Sequence, residues 1–123
     1  MNTSETADTI FLHEMKVEAI VGIWDWERQI RQTVSIDLEM GADIARAAAT
    51  DSIEDTLNYK AVAKAVQQFV TDSRFQLVET MAEKIAEMIL GDFDIPWVTV
   101  SVSKPGAIRG ARDVGVRIRR ERS

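Results

Sequence analysis

Apolar residues alternate with polar ones along four stretches of the chain and recur at helical spacing along two others. Ile10, Leu12, Met15, Val17, Ala19 and Val21 mark the first stretch, with one slip of phase near Glu14. Such a slip predicts a strand carrying a bulge. Gly22 interrupts it, and after a polar segment from Glu27 to Gln32 the alternation resumes as Val34, Ile36, Leu38 and Met40, the cleanest strand in the sequence. Residues Ala42 to Thr56 hold alanines and acids without alternation, which predicts a connection with room for a short helical turn. The period then changes. Val62, Val66, Phe69 and Val70 share one helical face, with Asn58 placed to cap the first turn. Ser73 and Gln76 have capping-box spacing ahead of a second stripe, Leu77, Met81, Ile85, Met88 and Ile89, which Gly91 is expected to end. Val98, Val100 and Val102, then Val114, Val116 and Ile118, complete the pattern as two more strands.

The order strand, strand, helix, helix, strand, strand predicts an α+β domain with both helices on one face of a four-stranded antiparallel sheet. Residues 1–8 read as a flexible N-terminal segment and 9–123 as a single domain, a division that suits a chain of 123 residues. Two sheet edges stay open in such a fold, and a soluble protein must blunt, cover or pair them. Pairing with further copies of the same chain is the natural expectation.

Composition narrows the chemistry. A net charge of -5 argues against a dedicated nucleic-acid binder, which needs clustered cations. The absence of cysteine removes disulfides, thiol nucleophiles and thiolate metal sites. No signal peptide or membrane span is visible near the start, so a cytoplasmic protein without membrane contact is expected.

His13 is the only histidine, so one chain cannot assemble a histidine-rich metal site, and His13 reads as structural or solvent-facing. Tyr59, the only tyrosine, starts the first helix, where spacing alone favours a packing aromatic over a phenol facing a cleft. Glu79 lies near the start of the second helix, where the dipole favours a carboxylate whatever its role. Half-buried, it would also accept two parallel N–H bonds from a flat donor pair. Lys104 ends the third strand before Pro105, an edge lysine or a proton-exchanging group at a loop mouth. Glu27 reads first as a solvated loop acid. The Lys104–Arg112 segment has the glycines and cations of a phosphate cradle without the spacing of one.

These residues sit in segments that resemble the dihydroneopterin aldolase family over nearly the whole chain, from Thr9 to Glu121. The resemblance includes Thr-Ile-Phe-Leu at the first strand, Gly22 with Glu27 five residues on, Thr50-Asp-Ser-Ile-Glu-Asp-Thr-Leu-Asn-Tyr59, Phe75-Gln-Leu-Val-Glu79 with Ala82-Glu83, Ser103-Lys-Pro-Gly106, and Val114-Gly-Val. It implies the tunnelling fold, whose element order equals the one above, in four-subunit rings that join sheets into a barrel, sometimes stacked as octamers. Active sites would then lie between subunits. Glu79 and the backbone of Val78 would anchor a pterin, Glu27, Leu57 and Tyr59 would contact substrate, and Lys104 would be the principal proton donor and acceptor, assisted by Tyr59. No metal, cofactor or Schiff base is implied, because the dihydropterin ring carries its own imine. Val21 stands where many relatives have histidine, and the Lys104 loop lacks a second proline that many carry.

Three other readings compete. A sister epimerase acting on dihydroneopterin triphosphate would use Arg109 and Arg112 against phosphates. A non-catalytic pterin-binding or scaffold protein would use the same groups for capture or assembly, and an RNA-binding module would use the arginines of the last strand.

Overall fold

Side chains on a strand alternate between faces, so the four alternating stretches can each give one apolar face to a common core. The computed structural model, which describes residues 8–123, has this arrangement. Strands β1 (Thr9–Ala19), β2 (Gln32–Gly41), β3 (Trp97–Pro105) and β4 (Asp113–Glu121) form one antiparallel sheet in the order β1-β2-β3-β4. Helices α2 (Tyr59–Thr71) and α3 (Val78–Asp92) pack on one side of it. Their buried stripes, Val62, Val66 and Val70 from α2 and Met81, Ile85 and Ile89 from α3, meet Val34, Ile36, Leu38, Val98, Val100 and Val102 from the central strands. Of the expected N-terminal segment, all but Asp8 lies outside the described residues.

The phase slip in the first strand is a β-bulge. Register shifts between Leu12 and Met15, and Glu14 takes a left-handed backbone with φ 54° while its N–H donates to Asp37 Oδ1. Beyond the bulge, Met15 and Val17 regain the core face opposite Ile36 and Val34. Asn58 caps α2 as its spacing predicts, accepting from Ala61 N through Oδ1 at 3.2 Å.

Two boundaries depart from the sequence reading. The Ala42–Thr56 connection holds a third helix, α1 (Ile44–Thr50), capped by Asp43 and ended by Asp51 in the left-handed conformation, followed by a 3-10 turn at Ile53–Asp55. No residue of α1 is buried; its alanines favour a helix by propensity, but without an apolar stripe periodicity does not register it. The Ser73–Gln76 capping box does not form either. Ser73 Oγ donates back to Val70 O at 2.7 Å, α3 begins at Val78 with no side-chain cap, and it runs through Gly91 to Asp92.

The β3–β4 pair depends on close approach at Gly115, which lies opposite Ser103. A Cβ at this position would stand 2.1 Å from Val102 O and 2.6 Å from Ser103 Cα. Both are backbone atoms that cannot swing aside. Gly115→Ala is expected to destabilise the fold by about 1–3 kcal/mol, read as a lower urea midpoint at unchanged slope. An unchanged midpoint would mean that the strand pair absorbs the methyl group.

Candidate active site

Between β1 and β2 the chain makes an irregular passage that buries a charged side chain. Gly22 adopts φ +133°, a conformation open to glycine and strained for other residues, and a short 3-10 turn follows at Glu27–Gln29. This turn folds the Glu27 carboxylate back over Gly22, so closely that a Cβ on Gly22 would lie 2.3 Å from Glu27 Cδ and Oε1. Glu27 is only 5% exposed, the one buried charged residue among those described. The expectation of a solvated loop acid is therefore overturned. Its loop turns inward because partners wait there.

Lys104 Nζ donates to Glu27 Oε2 at 2.8 Å, Gln32 Nε2 donates to the same oxygen at 3.1 Å, and Trp24 N donates to Oε1 at 3.3 Å. Gln32 Nε2 also donates to Val21 O at 2.8 Å, tying carboxylate and loop together. The Lys104 ammonium beside Glu27 holds its carboxyl below the ordinary value of 4.5, against the opposing effect of burial, with Gln32 and Trp24 adding to the lowering. Glu27 is thus an anion that keeps a lysine in place.

The pair forms one wall of a cleft of about 410 Å³. The exposed Trp24, Trp26 and Ile108 also line it, and Leu77, Val78 and Glu79 form the wall contributed by the start of α3. Glu79 lies in the first turn of α3. It is exposed rather than half-buried as the sequence reading had it, because no element among the described residues covers this wall. Among the described residues it has no hydrogen-bond or ion-pair partner, so both oxygens remain available as acceptors. The cleft therefore offers an ammonium, an unengaged carboxylate and exposed aromatic surface.

The model of the family described as dihydroneopterin aldolase matches residues 10–119 of this chain. The chain belongs to the dihydroneopterin aldolase family. The dihydroneopterin aldolase of Escherichia coli (strain K12) is 42% identical to it over 113 residues, 92% of this chain and 93% of that protein. A crystal structure of the Escherichia coli dihydroneopterin aldolase in complex with neopterin superposes with a TM-score of 0.89 at 42% identity, covering 92% of this chain and 98% of that one. A dihydroneopterin triphosphate 2'-epimerase of Pseudomonas aeruginosa is 30% identical over 107 residues, 87% of each chain.

Of the residues that the family resemblance singles out, Glu27, Val78, Glu79 and Lys104 meet in this one cleft. Leu57 and Tyr59 do not. Leu57 lines a separate concavity with Gly41, Asn58 and Pro96, and Tyr59, 53% exposed, follows Asn58 as the first residue of α2. Gly41 ends β2, whereas Lys104 lies beside the start of that strand, one residue past the Ser35–Ser103 pair. At about 3.3 Å per residue the two regions stand roughly 20 Å apart. His13, expected to be structural or solvent-facing, is exposed and stacks on Phe11 at 4.4 Å between ring centres. Gln32, Trp24 and Trp26 were not legible as site residues, since the irregular segment from Gly22 to Gln32 that contains them carries no periodicity.

A carboxylate whose pKa is lowered on folding contributes stability that is present above its unfolded value and lost as pH falls through the folded one. The parent should therefore lose this contribution below about pH 4.5. Glu27→Gln should be less stable than the parent near neutrality and show a shallower fall in Tm between about pH 5 and 3. Parallel Tm curves for the two proteins would show that the pair contributes nothing to folding.

Proposed function

We propose that this chain is a dihydroneopterin aldolase of folate biosynthesis, cleaving dihydroneopterin to the hydroxymethyl dihydropterin and glycolaldehyde. The observation that carries the reading is the cleft itself: Lys104, held by Glu27 at 2.8 Å, shares it with an unengaged Glu79 in a chain 42% identical to a dihydroneopterin aldolase over nearly its whole length. Glu79 accepts the paired N–H donors of the flat pterin ring, and the backbone of Val78 adds a polar contact beside it. Trp24 and Trp26, which also line the cleft, give the ring apolar surface.

In the proposed chemistry a base removes the proton from the side-chain hydroxyl next to the scissile bond. Its electrons form the glycolaldehyde carbonyl while the carbon–carbon pair flows into the ring imine, leaving an enamine. Reprotonation of the enamine carbon restores the imine and gives the hydroxymethyl product. Lys104 is the proton carrier, Tyr59 assists, and Glu27 holds the Lys104 ammonium and relays protons through water. Recapture of glycolaldehyde on the opposite face would give the side-chain epimer. No metal, cofactor or Schiff base is required, since the substrate ring supplies the electron sink.

Leu57 and Tyr59 would reach the cleft from a second copy. Strands β1 and β4 are both sheet edges, and pairing β1 of one copy with β4 of the next in a tetrameric ring, or two stacked rings, would bring the two halves of the site together. Among the described residues no helix is long and apolar enough to cross a membrane. We place the protein in the cytoplasm, acting on a small pterin without nucleic-acid or membrane partners. The exposed Arg109 and Arg112, in the loop that also carries Ile108 of the cleft, favour a second reading, epimerisation of the triphosphate.

Incubation with dihydroneopterin in excess chelator, with separation of the pterins and an assay for glycolaldehyde, tests the reading. Both products are expected, and Lys104→Ala should lose turnover by about 10²–10⁴-fold. Turnover of the triphosphate alone would transfer the assignment to the epimerase, and reaction with neither compound would leave a binding protein. For the shared site, mixing Lys104→Ala with Tyr59→Ala subunits should restore activity above that of either variant. No recovery after verified subunit exchange would refute a site built from two copies.

A further inference from the structure

We propose that Arg28 is a positioning residue that sets the substrate-recognising wall of the cleft against the Glu27–Lys104 wall. The proposal rests on the aldolase reading above and assigns a role to a side chain that does not line the cleft. Arg28 directly follows Glu27, and its guanidinium reaches across the chain to three backbone carbonyls. Nη1 donates to Gly22 O at 3.0 Å and to Phe75 O at 3.0 Å, and Nη2 donates to Arg74 O at 2.5 Å. Gly22 N donates to the same Phe75 oxygen at 3.3 Å. Among the described residues no carboxylate pairs with Arg28, so its directed bonds all go to these carbonyls.

The carbonyls belong to the two segments that carry the site. Gly22 lies beneath the Glu27 carboxylate. Arg74 and Phe75 belong to the irregular stretch before α3, and three residues after Phe75 comes Val78, with Glu79 next. That stretch needs an external tie, because α3 has no side-chain N-cap and its expected capping box is absent. A planar fork with fixed donor directions supplies one, relating both segments at a set spacing where a flexible cation would hold either loosely. Arg28 thereby aims the Val78 backbone and the Glu79 carboxylate at a ring whose reacting side chain lies against Lys104.

Arg31 provides an internal comparison. It also spends its guanidinium on backbone, donating to Glu18 O at 3.3 Å and Thr71 O at 3.0 Å, but neither carbonyl belongs to a segment lining the cleft. Arg28→Gln and Arg31→Gln therefore remove similar anchors with different consequences for the site.

The experiment measures kcat and KM for dihydroneopterin, Tm, and the affinity for neopterin as a non-reacting ligand, on the parent, both Gln variants and Arg28→Lys. Arg28→Gln should raise KM and weaken neopterin binding roughly tenfold or more, the scale of a lost charge-assisted hydrogen bond, with kcat within about threefold of the parent. Arg31→Gln should lower Tm and leave KM unchanged. Arg28→Lys, which keeps one cationic donor, should fall between parent and Arg28→Gln and supplies the comparison if the latter is too unstable to purify. A fall in kcat or Tm at Arg28 with KM and neopterin affinity unmoved would reduce it to a structural anchor and overturn the proposal. A parent that binds neopterin but turns over nothing would sink the aldolase reading while leaving the affinity comparison to decide the positioning role.

Discussion

Taking a carboxylate out of water is among the most costly steps a fold can include, and it is tolerated only where the charge is met by donors at close range. Glu27 imposes that constraint here. Its two oxygens take three donors from three separate places: the Lys104 ammonium at the end of β3, the Gln32 amide at the start of β2 and the Trp24 N–H in the intervening loop. Those donors converge only if β2 and β3 keep the register that sets Ser35 opposite Ser103, and only if Gly22 carries no side chain where the carboxylate lies. A site interaction thus couples to the sheet at its centre. Removing Lys104 would leave a buried anion short of its strongest partner, so in the proposed site a functional and a structural cost arise together.

The rest of the cleft follows a different rule. The wall at the start of α3 is exposed, with a carboxylate that no other described residue engages, while Leu57 and Tyr59 stand at the far end of the sheet. In the proposed reading a single copy therefore holds the Glu27–Lys104 pair in place and leaves the rest of the site unfinished. Open edges on β1 and β4 provide the geometric means of bringing the far end of one copy to the cleft of another, and ordinary strand pairing would satisfy their backbone groups at the same time. In the proposed assembly, edge protection and completion of the site become one event.

Much of the sheet was legible because burial imposes a period. The strands, the bulge near Glu14 and the Asn58 cap all follow from alternation or from a local side-chain bond. Helix α1 was underestimated because it buries nothing, and the start of α3 was misplaced because Ser73 turned back to bond Val70 O. The site divides in the same way. Resemblance supplied Glu27, Val78, Glu79 and Lys104 as site residues, but reading the residues alone made Glu27 a solvent-facing acid. Nothing local to its turn signals burial, since the partners that hold it lie at the first position of β2 and near the end of β3. Gln32 and Arg28 escaped for the same reason. A polar residue in a polar run has no periodicity, and its bonds span a separation that no local pattern records.

The two walls also differ in how they are held, which bears on how substrate is read. Lys104 is restrained by a short ion pair and by its place in a strand paired on both sides, so the proposed proton carrier has little freedom. Glu79 sits on a helix without a side-chain cap, at the end of an irregular stretch tied down by the Arg28 fork and the Gly22–Phe75 bond. A group that moves protons gains from being fixed before substrate arrives, because misplacement raises the barrier directly. A group that recognises a ring gains from remaining solvated until the ring displaces water from both oxygens, provided its direction is already set. Direction, rather than burial, is then what the fold must supply at Glu79, and fixed bonds to the preceding backbone supply it without covering the carboxylate.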